Sequence, residues 1–162
     1  RDSSQLNFDQ EILRLEQSIN PIANTGKIDS LRGLEGTGSA VYFGSFSQLI
    51  TNSDFTFKTR RRRPPTDPIN ALLSLGYSLL RHDIQSAVNI VGFDPYLGYL
   101  HVEHYGRPAL ALDLMEEFRP LVVDALVLKI INKQQLTLDD FKTEPISNAV
   151  SLTQEGLKTF LR

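Results

Sequence analysis

A proline set directly behind an acidic residue, followed by apolar positions at helical spacing and a closing glycine, constrains this chain more than any other feature. Asp67-Pro68 opens the run, Ile69, Leu72, Leu73, Leu75, Leu79, Leu80, Ile84, Ala87, Val88 and Val91 carry it for more than six turns, and Gly92 closes it. Aspartate at the N-cap accepts a hydrogen bond from the first turn, and proline just inside gives up an N–H that has no helical partner anyway. Glycine after the last turn takes the left-handed conformation that ends helices. A helix this long and this apolar is read as central, with the rest of the chain packed round it.

The flanking segments are mostly helical as well. Leu6, Ile12, Leu13, Leu15 and Ile19 approximate one stripe, predicting a helix over residues 3–19 that Asn20-Pro21 ends. A second helix is expected from Ser30, as N-cap, to about Ile50. Gly33, Gly36 and Gly38 lie inside it, each costing about 1 kcal/mol against alanine, and close backbone packing is the expected offset. Residues 51–68 read as an Arg- and Pro-rich connection and 93–109 as turns. Residues 110–132 form another helix that Pro120 kinks or restarts. A loop with short extended pieces fills 133–152, and Thr153 caps a last helix running to Arg162. Strand signal is confined to 96–101 and 108–112. The fold class is mainly α, a helical domain built round a long central helix with short extended segments.

With 162 residues, one domain with a single core is expected. The absence of cysteine removes disulfides and thiolate metal sites, and fits a reducing cytoplasm. No apolar run is long enough for a membrane span, and no leader pattern opens the chain. The net charge of −2 hides an asymmetry, since Lys58 and Arg60 to Arg63 place five of the seventeen basic residues within six positions. A local basic patch on an acidic body is what a polyanion meets. Arg60, Arg61, Arg62 and Arg63 are therefore candidate phosphate contacts, with Phe55 and Phe57 nearby in sequence; a solvated loop is the plainer alternative.

The chemistry-bearing residues cluster further on. His101 leaves a short apolar run, Asp113 follows at the start of a helix, and Glu116 and Glu117 share its face at i+3 and i+4. Carboxylates and an imidazole so placed suit Mg²⁺ or Mn²⁺, although acids in a first helical turn also simply complement the helix dipole. Arg81-His82-Asp83 offers a rival, the central pair of an HD-type phosphohydrolase, but no histidine precedes His82 to complete it.

Four blocks taken together resemble one family. Leu31-Arg32-Gly33-Leu34-Glu35-Gly36, the segment from Arg63 to Tyr77, the segment from Gly92 to His101, and the segment from Gly106 to Pro120 follow the order found in the CRISPR-adaptation integrase, the CRISPR-associated "Cas-one" family. The resemblance implies that residues 1–162 are the C-terminal-type helical catalytic domain, without the family's N-terminal β domain and terminal helix. It implies Glu35, His101 and Asp113 as ligands of Mg²⁺ or Mn²⁺, with Glu116 at a supporting acidic position. The glycines about Glu35 would let its helix approach the elements bearing the other ligands. It implies metal-dependent nuclease and strand-transfer chemistry on double-stranded DNA, with Arg60 to Arg63 and Tyr77 near the DNA. The implied partners are a second copy of the chain, as a homodimer, and a small companion, "Cas-two", in a prokaryotic cytoplasm. A scaffold that binds DNA without catalysis is the alternative from another class.

Overall fold

The helix expected at the centre runs Pro68–Val91 in the computed structural model, which describes residues 6–162. Its caps are those read from sequence. The Asp67 side chain accepts the Asn70 backbone N–H at 2.9 Å, and Gly92 closes the last turn with a φ of 89°. The chain divides into two compact units, residues 1–60 and 61–162, and each is described by itself.

In the first unit α1 spans Asp9–Ile19 and packs on α2, Ile28–Phe46. Residues 3–5 of the expected first helix lie outside the described residues. The expected apolar stripe is only partly covered, because Ile12, Leu13 and Ile19 remain exposed while Leu15 is half-buried. The second helix begins two residues ahead of Ser30, behind Lys27, and tightens into a 3₁₀ turn over Ser47–Leu49. Its glycines do not serve close packing within the unit. A Cβ on Gly33 or Gly36 would meet no atom of its own unit within 4 Å, and on Gly38 only ordinary contacts with Leu15 and Ser18 at 3.8 Å. The core of this unit lies at the far end of α2. There the Phe46 ring meets those of Phe43 and Phe57 at 5.8 and 5.3 Å between centroids.

The second unit is built on α3, the Pro68–Val91 helix. It buries Ile69, Leu72, Leu73 and Val88 with Met115, Val123, Val127, Ile131 and Leu136. Ala109–Phe118 forms α4 and Ala125–Asn132 forms α5. Between them Arg119–Asp124 takes the wider π-helical spacing, since Pro120 has no N–H for the α-helical ladder and its ring crowds the preceding turn. Gly76 admits this turn to α3: a Cβ there would stand 2.6 Å from Val123 Cγ1. The extended pieces after residue 133 are an antiparallel pair, β1 Phe141–Thr143 and β2 Val150–Leu152, with Phe141 opposite Leu152. The last helix, α6, spans Gln154–Phe160, ending short of Arg162, with the Thr153 hydroxyl accepting the Gly156 N–H at 3.1 Å.

The strands expected over 96–101 and 108–112 are absent. The first segment is a series of turns and the second is the opening of α4. The backbone N–H groups of 99–101 do not need a neighbouring strand, because a side chain of α4 accepts them.

Candidate active site

That side chain is Asp113. Its Oδ2 accepts the backbone N–H of Tyr99 at 2.5 Å and of Leu100 at 3.0 Å, and its Oδ1 accepts the N–H of His101 at 2.8 Å. Oδ1 also takes the His101 Nδ1 hydrogen at 2.7 Å. One carboxylate therefore organises a loop of three successive amides and fixes the ring that emerges from it. Burial pushes the Asp113 pKa up, but the donated hydrogen bonds of Tyr99, His101 and Leu100 outweigh it and hold the carboxyl below its ordinary value.

Gly98 makes this approach possible. A Cβ at that position would lie 2.5 Å from the Ala109 Cβ, 2.9 Å from its backbone carbon and 3.1 Å from Asp113 Oδ2. Sequence reading places Gly98 among turn residues and in the extended run expected over 96–101, and gives it no role in the approach of Asp113.

Asp113 accepts hydrogen bonds only, so His101 Nδ1 carries a proton, and the lone pair that the ring can offer a ligand is the one on Nε2. Nε2 stands 3.8 Å from Glu116 Oε1, too far for a hydrogen bond. Lone pair and carboxylate face each other across a gap that a divalent cation suits, and one nitrogen with carboxylate oxygen is a donor set that Mn²⁺ or Mg²⁺ accepts. The His101 and Glu116 side chains are 22% and 25% exposed, so the gap is open to a ligand. Among the described residues no group of three or more His, Asp or Glu side chains is arranged so that it could hold a metal ion.

Glu116 is also held by Arg119, whose Nη1 lies 2.6 Å from Oε1 and 2.7 Å from Oε2. The Arg119 guanidinium lies over the Tyr77 ring, 5.0 Å from its centroid, and the Tyr77 hydroxyl donates to Asp124. Tyr77, read from sequence as a DNA contact, thus turns its hydroxyl toward a buried carboxylate. Neither Arg119 nor Asp124 stands out in the sequence: the Glu116–Arg119 pair is an ordinary i,i+3 spacing, and Tyr77 is brought to Arg119 and Asp124 by tertiary packing alone.

The structure brings His101, Asp113 and Glu116 together. Glu117 is exposed on the same helix. Glu35 is exposed on α2 in the first unit. The basic run spans both units, with Arg60 half-buried at the end of the first and Arg61, Arg62 and Arg63 exposed at the start of the second. The Arg61 N–H donates to Asn70 Oδ1 at 2.8 Å, which ties the run to the first turn of α3. Phe55 and Phe57 are buried, so neither ring is available to a nucleotide. His82 and Asp83 are exposed, and the His82 ring nitrogen lies 3.2 Å from Arg81 Nη2, so the HD-type reading gains no cluster.

The chain as a whole is similar to proteins of one family. The family described as CRISPR associated protein Cas1 matches residues 1–162. The CRISPR-associated endonuclease Cas1 2 of Rhodospirillum rubrum is 52% identical over 141 residues, covering 86% of this chain and 41% of that protein. A partial Cas6-RT-Cas1–Cas2 complex contains a chain that superposes with a TM-score of 0.89 at 31% identity, over 99% of this chain and 49% of that one. A casposase bound to integration product superposes with a TM-score of 0.83 at 30% identity, over 97% of this chain and 43% of that one. The chain thus spans less than half the length of each of these three proteins. No helix among the described residues is long and apolar enough to cross a membrane. On the extent of these matches, the chain belongs to the Cas1 family of CRISPR-associated proteins.

Proposed function

We propose that the chain carries the catalytic helical portion of a divalent-metal-dependent DNA endonuclease and integrase of CRISPR adaptation. In this reading the 3′-hydroxyl of a short DNA duplex attacks a phosphodiester of the CRISPR array. One P–O bond forms as another breaks, so the number of phosphodiesters is conserved and no energy source is needed. The observation that carries the reading is the Asp113–His101–Glu116 constellation, in a chain matched throughout to a family whose relatives are named endonucleases.

The hydrogen bonds support a ranking of the acids that differs from the one the resemblance implies. Both oxygens of Asp113 are engaged by amides and the imidazole, which suits an orienting role. Glu116 faces the open Nε2 and suits the ligand role, beside His101. Glu35, in the first unit, is a ligand by resemblance alone. Bound by His101 and Glu116, Mg²⁺ or Mn²⁺ would neutralise charge that builds on the phosphoryl oxygens. Asp113 holds the imidazole in one orientation, and Arg61, Arg62 and Arg63, exposed at the start of the second unit, grip DNA backbone.

The proposed partners are double-stranded DNA, a second copy of the chain and a small Cas2-type companion, the last supported by the complex named above. The test incubates the full chain and its companion with a duplex bearing free 3′-hydroxyls and a plasmid carrying a CRISPR repeat, in Mn²⁺, Mg²⁺ or EDTA. Joined product that requires metal and disappears in His101→Ala and Glu35→Ala is the expected result. DNA binding with no joining under any condition would replace the enzyme with a DNA-binding scaffold.

A further inference from the structure

Arg119 takes no part in the chemistry just described, yet it is held more firmly than a surface arginine needs to be. It grips both oxygens of Glu116 and lies over the Tyr77 ring, with its side chain only 19% exposed. Tyr77 is fixed in turn by Asp124, a carboxylate 2% exposed in the π-helical turn that Pro120 imposes. Gly76, next to Tyr77, lets Val123, next to Asp124, come close enough for that hydrogen bond. The Arg119 Nε is buried and makes no hydrogen bond among the described residues. Stability alone does not favour a buried donor left unsatisfied.

We propose that Arg119 is a positioning residue: seated on the Tyr77 ring, which Asp124 anchors, it fixes Glu116 so that Oε1 faces His101 Nε2. The inference rests on the reading that His101 and Glu116 hold a divalent cation. An ordinary i,i+3 ion pair on an open helix face contributes little and leaves both side chains mobile. This pair differs because the guanidinium has an aromatic platform beneath it and both partners are largely covered. A glutamate whose two oxygens are already fixed by the guanidinium loses little further freedom when Oε1 also takes a cation, as expected of groups that orient a metal ligand. The planar, stacking guanidinium is what the platform selects, so lysine is an incomplete substitute.

The experiment titrates Mn²⁺ into the full chain by calorimetry, for wild type, Arg119→Met, Arg119→Lys and Tyr77→Phe, alongside thermal midpoints and DNA joining as a function of Mn²⁺. The inference expects Arg119→Met to bind Mn²⁺ about tenfold more weakly, Arg119→Lys to recover part of that loss, and Tyr77→Phe to show a smaller loss. Joining by Arg119→Met returns at saturating Mn²⁺, a split that general destabilisation does not produce. Arg119→Met that folds and binds Mn²⁺ as tightly as wild type, or tighter, overturns the inference and makes the arginine a mere competitor for Glu116. If Arg119→Met does not fold, unchanged affinity in both Arg119→Lys and Tyr77→Phe overturns it. A wild type that binds no Mn²⁺ overturns the metal reading and this inference together, whereas wild-type binding that survives every substitution removes only the inference.

Discussion

Two irregular segments of the second unit each run into a helix, and each is held by a polar side chain of that helix. Arg61–Thr66 is held by Asn70, which is fully buried, accepts the Arg61 N–H and donates to Asp67 Oδ2 at 2.6 Å. Gly92–Pro108 is held by Asp113, whose side chain is 12% exposed and which accepts three amides and a ring nitrogen. The difference lies in charge and in what is presented. A neutral, sealed carboxamide anchors a backbone whose arginines point outward and need no orientation. A largely covered, ionised carboxylate holds a backbone and a histidine together, so the second segment carries the candidate site and the first is a mount.

Asp113→Asn strikes this contrast hardest. The carboxamide offers one acceptor in place of two, and its amino group opposes the loop's own donors. A loss of about 3 kcal/mol at neutral pH is expected from hydrogen bonds to a charged group, with DNA joining down about 100-fold through the misdirected imidazole. The pH dependence has a defined sign. The carboxyl of folded Asp113 titrates below its ordinary value of 3.8, so its stabilisation is present above that value and fades as pH falls through the lower native one. Urea unfolding of both proteins from pH 7 downward should show the gap closing only in strong acid.

Gly98→Ala tests the same loop sterically. With a neighbouring Cβ at 2.5 Å and backbone at 2.9 Å the loop must move, and about 2 kcal/mol is expected from overpacking, with joining reduced about tenfold as Asp113 loses its amides. Asn70→Ala should lower stability by about 1–2 kcal/mol while leaving joining per folded molecule unchanged, measured by unfolding and by active-site-normalised rates. An equal loss of joining would erase the distinction between mount and site. Replacing Arg61, Arg62 and Arg63 together by alanine should change stability by less than about 0.5 kcal/mol. DNA binding should weaken instead, and the slope of log affinity against log salt should flatten by up to about 0.9 per lost phosphate contact.

The contrast also marks what sequence alone conveys. Asp67, Pro68 and Gly92 are local signals, and α3 has the limits they set. Pro120 interrupts its helix as expected, because the missing N–H is a property of that residue wherever it sits. The segment 96–101 looks extended because its apolar and aromatic residues suit a strand, but its amides answer to a carboxylate twelve or more residues away. The glycines of α2 suggest close packing, and the first unit supplies none at Gly33 or Gly36. Within the site, His101 and its acids are legible through motif resemblance. Spacing does not reveal which acid of an i,i+3 pair turns to the backbone and which to the open edge. Nor does it join Tyr77 to Asp124, 47 residues apart.

The proposed function has Asp113 orient His101 while His101 and Glu116 take the metal. Its most direct test is a crystal structure of the full chain grown with Mn²⁺, with the ion located by its anomalous signal. The account expects the signal within bonding distance of His101 Nε2 and the Glu116 carboxylate, with Asp113 still accepting the amides of 99–101. A signal on the Asp113 oxygens with those amides released, and Glu116 turned away, would contradict it.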